Sequence, residues 1–599
     1  MNKLTTTTFA VTFAAFAILL LLLPTPPVTL GDAAADSAVI IDSVRVFDGE
    51  ELRGPTTLVL ANGRVAAIGD DAKRPAGARV IDGRGKTALP GLIDAHTHSY
   101  GTGLSDALRF GVTTHLDMFT DPATIGDMGR DRESVAKSDS AALFSAGMLA
   151  TVDGGHGTQF GVDVEGLTGP EHAAAWVAAR KAEGSDYIKL AYIPNTRDLP
   201  TLDLATARAV IEAAHAEGLM AVAHISTEAA ALELLDAGID GFVHVFADVE
   251  VSDAFIDRAL EAGVFVIPTL SVIARADGKR LSEALIDDEH LGPYLTAAQQ
   301  GSLAGDFGGP YPGFSLDIAQ HNVGRLHAAG IPILAGSDAP NPGTAYGVTL
   351  HQELALLVEA GLSATDALNA ATRGPAAVFA TAGRGELKAG ARADLVLVAG
   401  DPSTDILATR AIAAVFRNGY ELERAATADA PAGDAMPTLL GDFETGVDAP
   451  EGFVWTQTTD SMMGGSSEAS LAHTGEGAGG SAGALAVTAD VYLDFPYPWA
   501  GAYLALYPEG RTGDLSPFAA IEFDVRGTAA SYRLMLFASD QFGAPPTATF
   551  AVDADWTHVS LPLERFAGFK AEQFTGLAIS TPMEAGHFEF EIDNVTLVQ

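Results

Sequence analysis

The fold predicted for this 599-residue chain is a (β/α)8 TIM barrel with a small split β-sandwich, followed by a separate all-β region. Three observations predict it. Eight short apolar segments alternate with Ala-rich helical stretches through the middle of the chain. Short strands punctuated by turns flank them on both sides, and the C-terminal stretch reads as alternating strands rich in Gly, Thr and aromatics.

Taken in order, Lys3 precedes an apolar run from Phe9 to Leu23, then Pro24, Pro26, Pro27 and Ala33-Ala34-Ala35. A short positive head, a greasy stretch and small residues at a cleavage point read as a secretory signal peptide over residues 1–35. The run falls short of the ~20 residues that span a bilayer comfortably; an uncleaved membrane anchor is the alternative. The folded protein is expected to be exported, periplasmic or secreted.

Residues 36–90 break into hairpin strands, with Asn62-Gly63 as a turn signal, and a matching set fills 385–421. Neither set can bury a face alone, so the two are expected to pair into one composite β-sandwich. Between them, 91–384 carries the barrel strands. They are expected at LIDAH (92–96), VTTHLDM (112–118), AALFSAGML (141–149), YIKL (187–190), MAVAH (220–224), GFVHV (241–245), VFVIPTL (264–270) and IPILAGSD (331–338). The stretch 271–320 is long for a βα connection and predicts a lid or pocket wall. Residues 422–437 form an Ala/Pro/acid linker, and 438–599 an all-β sandwich.

Composition narrows the function. Apolar residues are 48% and charged residues 19%, enough for large cores. Asp+Glu 77 against Lys+Arg 35 leaves a net charge of −42, which repels phosphate backbones and argues against nucleic acid as a partner. With no cysteine, disulfides, thiolate nucleophiles and Cys-ligated zinc drop out.

The chemistry converges on strand ends. His96 and His98 stand two apart, so their side chains leave a strand on one side and can grip one metal together. Lys189, His224, His244 and Asp338 lie near the C-terminal ends of later strands, the face on which barrels assemble active sites. One of only nine lysines, Lys189, sits inside the apolar run YIKLAYI. A buried unpaired ammonium is costly. An amine of lowered pKa can react with carbon dioxide to give an anionic, bidentate carbamate able to bridge two cations; a lysine snorkelling to the barrel mouth is the alternative.

PGLIDAHTH, the fourth-strand lysine, His224, His244 and GSDA around Asp338 resemble the binuclear-metal branch of the amidohydrolase superfamily, closest to its Xaa-Pro-dipeptidase and imidazolonepropionase-like cluster. The resemblance covers roughly Ala38 to Tyr420. It implies two divalent metal ions, with zinc favoured by the imidazole and carboxylate donors. One ion would take His96, His98 and Asp338, the other His224 and His244, with N6-carboxylated Lys189 between them. It also implies that a shared metal hydroxide attacks the amide and that Asp338, the catalytic acid/base, relays a proton to the leaving nitrogen.

Around this set, Asp94 is either an orienter of the ligands or a turn stabiliser. His156, in a Gly-rich loop after the third strand, and Tyr187, alternating with Lys189, are candidate substrate-binding residues; a plain loop histidine is the alternative for the first. His115 and Asp117 share one face of the second strand. His351 reads as structural, and His215 and His327 as helix surface.

From DFETG to IDNVTL the C-terminal region resembles the galactose-binding-like jelly roll of complex-I-intermediate-associated proteins, which implies glycan or protein contact, or a structural cap. Asp460, Met463, Gly464 and Gly465 there are read as shaping a turn. The expected function is therefore hydrolysis of a peptide-like or N-acyl amino-acid amide. A cyclic-amide or lactone hydrolase, and a binding or assembly protein with a degenerate barrel, are the alternatives. A mononuclear deaminase would not need Lys189.

Overall fold

The computed structural model describes residues 38–599 apart from 130, 159–163, 195–198, 427–433, 448–452, 464–465, 494, 496, 507–511 and 539–544. The expected signal segment, and residues 427–433 of the expected linker, lie outside the described residues.

The strands flanking the middle region meet in one eight-stranded sheet. β1 (Val39–Phe47), β2 (Leu52–Ala61), β3 (Arg64–Ile68), β4 (Arg79–Asp82) and β5 (Lys86–Pro90) come from the N-terminal side. β5 then pairs antiparallel with a strand some 300 residues later, Leu395–Ala399, in the register Leu395↔Pro90, and that strand pairs with Ile412–Arg417. Val39, Ile41, Val46, Leu58, Leu60, Leu395 and Phe416 fill one shared core, the burial that neither set achieves alone.

Between the two flanks, parallel strands alternate with helices. β6 (Leu92–Thr97), β7 (Val112–Asp117) and β8 (Ala142–Ser145) form one sheet; β9 (Ile188–Ala191), β10 (Ala221–His224), β11 (Gly241–Phe242) and β12 (Phe265–Val266) form another. Single parallel bridges join Ala150 to Leu190, Val266 to Ile333 and Thr97 to Ala339. The helices are sharply delimited. Asp203, Thr227, Ser252 and Ser315 each cap a first turn by accepting a backbone N–H, while Gly238, Gly263 and Gly330 close last turns in the left-handed conformation.

Several strands end earlier than the sequence patterns suggest. GFVHV is strand only over Gly241–Phe242, VFVIPTL only over Phe265–Val266, and 331–338 has bridges in place of a continuous ladder. Pro268 and Pro332 supply no N–H to a ladder. Beyond the short strands the backbone turns, which aims the polar side chains of 244 and 338 toward a common point.

The expected lid, 271–320, contains packed structure. A helix over Ala297–Ala304 opens on a capping box between Thr296 and Gln299. Leu285, Leu291, Leu295 and Leu303 bury against Phe110 and Val348. This stretch thus packs into a small core shared with the rest of the chain.

The C-terminal region holds a seven-stranded and a six-stranded sheet around a core that includes Trp455, Phe523, Leu577 and Ile592. Buried Asp460 locks its turn, accepting from Ser467 N (2.9 Å), Ser467 Oγ (2.7 Å) and Trp499 N (3.2 Å). Gly464 and Gly465 lie outside the described residues.

Candidate metal centre

Six polar side chains from five separate segments come together. His96 is on β6 with His98 just beyond it, Lys189 is on β9, and His224 ends β10; His244 follows β11, and Asp338 closes the bridged 331–338 segment. His98 Nε2 lies 3.0 Å and His96 Nε2 3.3 Å from Asp338 Oδ1; His244 Nε2 lies 4.0 Å from Asp338 Oδ2. Lys189 Nζ is 3.4 Å from His96 Nε2, and the His224 and His244 rings have centroids 4.4 Å apart. Donor atoms of His96, His244 and Asp338 all fall within 4.8 Å of one another.

Each ring is aimed by what its far nitrogen meets. His96 Nδ1 sits 2.8 Å from the Val243 carbonyl, an acceptor only, so Nδ1 carries the proton and Nε2 presents a lone pair. His244 Nδ1 likewise sits 2.7 Å from Thr269 Oγ1. His98 Nδ1 faces the Phe119 carbonyl at 3.4 Å. Gly336 lets the Asp338 segment approach: a Cβ there would stand 2.7 Å from His96 Cβ and 2.5 Å from Ile267 Cγ2. Asp338 itself has φ +56, a left-handed conformation rare outside glycine and of a kind that clusters at functional sites.

The electrostatics favour metal ligands over proton carriers among the imidazoles. Burial, with neighbouring Lys189 and the other histidines, holds His96 and His224 well below the usual histidine value, and burial does the same to His244 against the pull of Asp338. Burial would raise Asp338, but the His98 hydrogen bond and the His244, His98 and Lys189 charges outweigh it and keep the carboxyl below its ordinary value. Lys189, 1% exposed, is pushed down to about 8 by burial. Neutral imidazole Nε2 atoms, one ionised carboxylate and an amine easily made neutral are a donor set that suits divalent first-row metals.

The surrounding residues divide. His156 stands at the site, its ring 4.4 Å from that of His224, and burial pushes it down to about 4. Tyr187, expected as a substrate contact, corrects that expectation. Its hydroxyl donates to the Asp117 carbonyl (2.7 Å), with the Phe144 carbonyl at 3.2 Å, and its ring packs on Phe379 in an apolar cluster. Asp94 accepts from Ser337 Oγ (2.6 Å), Ser337 N (2.9 Å) and His96 N (3.2 Å), tying the His96 strand to the Asp338 segment. Asp117 accepts from Ser99 N (2.5 Å) and Ser145 Oγ (2.6 Å), and His115 meets Ser99 Oγ at 2.9 Å, so both brace the turn after His98. His351 contacts Thr409 Oγ1 and the Phe110 carbonyl away from the centre. His215 and His327 pair with Asp240 and Asp366 at half-exposed positions. Thr269, Ser337 and Tyr346, whose hydroxyl donates to the His98 carbonyl at 2.5 Å, were not singled out by the sequence. The only signal for Ser337 was its place in GSDA.

Residues 87–422 match the model of the amidohydrolase family, and residues 444–599 match that of carbohydrate binding domain 30. An uncharacterised protein of Mycobacterium tuberculosis is 27% identical over 333 residues, 52% of this chain and 79% of the relative. An N-acyl-D-aspartate deacylase of Alcaligenes xylosoxydans xylosoxydans is 43% identical over 76 residues, 12% of this chain and 15% of the enzyme. Among solved structures, a Xaa-Pro dipeptidase with bound methionine in the active site superposes with TM-score 0.53 at 20% identity, over 65% of this chain and 100% of that one. Molinate hydrolase superposes with TM-score 0.52 at 20% identity, over 65% and 95%. At such identities the structural likeness is one of fold.

Proposed function

Because this chain belongs to the amidohydrolase family, we propose that this metal-dependent hydrolase cleaves the C–N bond of a small linear amide, a dipeptide or an N-acyl amino acid, at a two-metal centre. The observation that carries the reading is the meeting of His96, His98, Lys189, His244 and Asp338 within a few ångströms, with His224 alongside. We read the cations as zinc, one held by His96, His98 and Asp338 and the other by His224 and His244.

Lys189 lies buried among neutral imidazoles, where a bare ammonium is costly. Were its neutral nitrogen to bond the carbon of carbon dioxide and lose a proton, the resulting carbamate would supply an anionic ligand for both ions. When bound, such ions lower the pKa of a water and polarise the scissile carbonyl. Asp338 takes a proton from the attacking water and delivers it to the leaving nitrogen, a task suited to a carboxylate kept ionised by its histidine neighbours. His156, beside His224 on the loop after β8, meets the substrate. The names of the deacylase and dipeptidase relatives favour a linear amide.

We also read the two parallel sheets and the 331–338 segment as one (β/α)8 barrel over 91–384. The three single bridges support it, because they link Ala150, beyond the end of β8, to β9, β12 to Ile333 of the segment, and Ala339, the residue after the segment, to β6. Residues 36–90 and 385–421 would be its composite sandwich. The Lys3-headed apolar run supports export to a periplasm or the exterior. The carbohydrate-binding match supports glycan contact through the C-terminal region.

Metal analysis of the full-length protein should find about two divalent ions per chain, with a mass increment on Lys189. Lys189→Ala should lose one ion and nearly all turnover; an unchanged rate would defeat the carbamate. A dipeptide and N-acyl amino-acid panel should reveal cleavage. Turnover confined to cyclic amides or lactones would replace the linear substrate.

A further inference from the structure

The segment that orients His244 is built at some cost. Thr269, wholly buried, adopts φ +54 and ψ +47, a left-handed conformation that a β-branched residue rarely takes. Its hydroxyl donates to the Pro268 carbonyl (2.7 Å), so the oxygen can only accept from His244 Nδ1, also at 2.7 Å. That contact fixes the ring with its proton on Nδ1 and Nε2 turned to Asp338.

What holds Thr269 in this conformation comes from far along the chain. The next two residues open the helix Leu270–Ala276, and Glu353, on the helix Val348–Glu359, accepts from Leu270 N, Ser271 N and Ser271 Oγ, each at 2.8 Å. Glu353 is wholly buried, and the three donors it receives here are all neutral. A carboxylate spent in this way secures the backbone next to Thr269 on both amides at once.

We propose that Glu353 is a positioning residue for the metal centre, holding the strained Thr269 so that its hydroxyl fixes the His244 ring for coordination. This rests on His244 being a metal ligand, as proposed above. Glu353 touches neither substrate nor metal; it acts through the loop and Thr269.

The test is Co2+ binding to the metal-stripped full-length protein, by chelator competition and by the visible d–d absorption of the bound ion, with thermal midpoints recorded in parallel. Thr269→Val keeps the shape and removes the hydroxyl, and Glu353→Gln keeps the size while turning an amide N–H toward the helix donors. Both should weaken Co2+ binding by about 10–100-fold and alter its absorption, as loss of a ligand's orienting partner does. Thr269→Ser should restore both readouts, while Thr269→Val, whose midpoint falls with the loss of the contacts to His244 Nδ1 and the Pro268 carbonyl, should show the Co2+ defect at temperatures well below that midpoint. Wild-type affinity and absorption in Thr269→Val would overturn the proposal even if Glu353→Gln were unstable. A defect in Glu353→Gln without one in Thr269→Val would also overturn it, since the link would then bypass Thr269. Failure of the wild-type protein to bind Co2+ would remove the metal-centre reading itself, and the proposal with it.

Discussion

Asp94 and Tyr187 show how little separates a residue of the site from one beneath it. Asp94 receives three hydrogen bonds, two from Ser337 and one from His96 N, and burial pushes it up to about 7. Asp94→Asn places an amide N–H against one of those donors, so the strand of His96 and the segment of Asp338 lose a tie. Metal affinity should fall about 10–100-fold, read by chelator competition. By alternation Tyr187, the residue before β9, falls on the side of Lys189, yet its hydroxyl is committed to the Asp117 and Phe144 carbonyls. Tyr187→Phe should cost about 1–2 kcal/mol of stability by denaturant titration and leave KM unchanged; a raised KM would return it to the substrate pocket. Strand alternation revealed which side Tyr187 faces and hid how deep it sits. The six polar side chains that meet were legible because each interrupts or closes an apolar strand run, a local feature. Thr269 was not, because its role depends on a backbone conformation held by a carboxylate more than 80 residues away.

At the scale of elements, the helix Val348–Glu359 does two jobs. Glu353 braces the loop beside His244, while His351 meets Thr409 Oγ1 (3.1 Å) and the Phe110 carbonyl (2.9 Å), joining the helix to the turn before the strand Ile412–Arg417. Burial pushes His351 down to about 4, helped by the Arg410 and Arg424 charges and opposed by the Phe110 carbonyl and Asp288. The folded imidazole therefore binds fewer protons than the unfolded one between about pH 6.5 and pH 4. Its contribution is whole above the unfolded value and is lost as the pH falls through that window, on the order of 3 kcal/mol in all. Thermal midpoints from pH 7 to pH 4 should fall less steeply for His351→Gln than for the wild type; parallel curves would show that the ring does not report this linkage. The helices themselves were readable from their Ala-rich runs and Asp, Ser or Thr caps. Strand lengths were not, because proline and the turns that aim ligands cut ladders short where the apolar pattern continues. The packed structure of 271–320 was visible only as an overlong connection, since its core is completed by Phe110 and Val348 from elsewhere in the chain.

For the whole molecule, the question is whether catalysis depends on the C-terminal region. Among the described residues, the buried residues around the metal centre and its flanking sheet come from positions up to 416, and the C-terminal core is assembled from 440 to 597, with no residue common to both. Cores that share no side chains can fold separately. The C-terminal β region was legible from alternation and turns, whereas what it binds was not, because a sheet surface is read by its shape. Ending the chain after residue 426 should therefore leave metal content and amide turnover within about twofold of the full-length values, with an unchanged KM. The fragment 434–599 should fold and be retained by insoluble polysaccharide, and the full-length enzyme should be retained with it. Because excess acidic residues give the chain a net charge of −42, retention that vanishes in salt would mark ion exchange, and retention that survives salt would mark sugar recognition. Loss of turnover in the shortened chain would place part of the 434–599 surface in the active site and join the two halves into one catalytic unit.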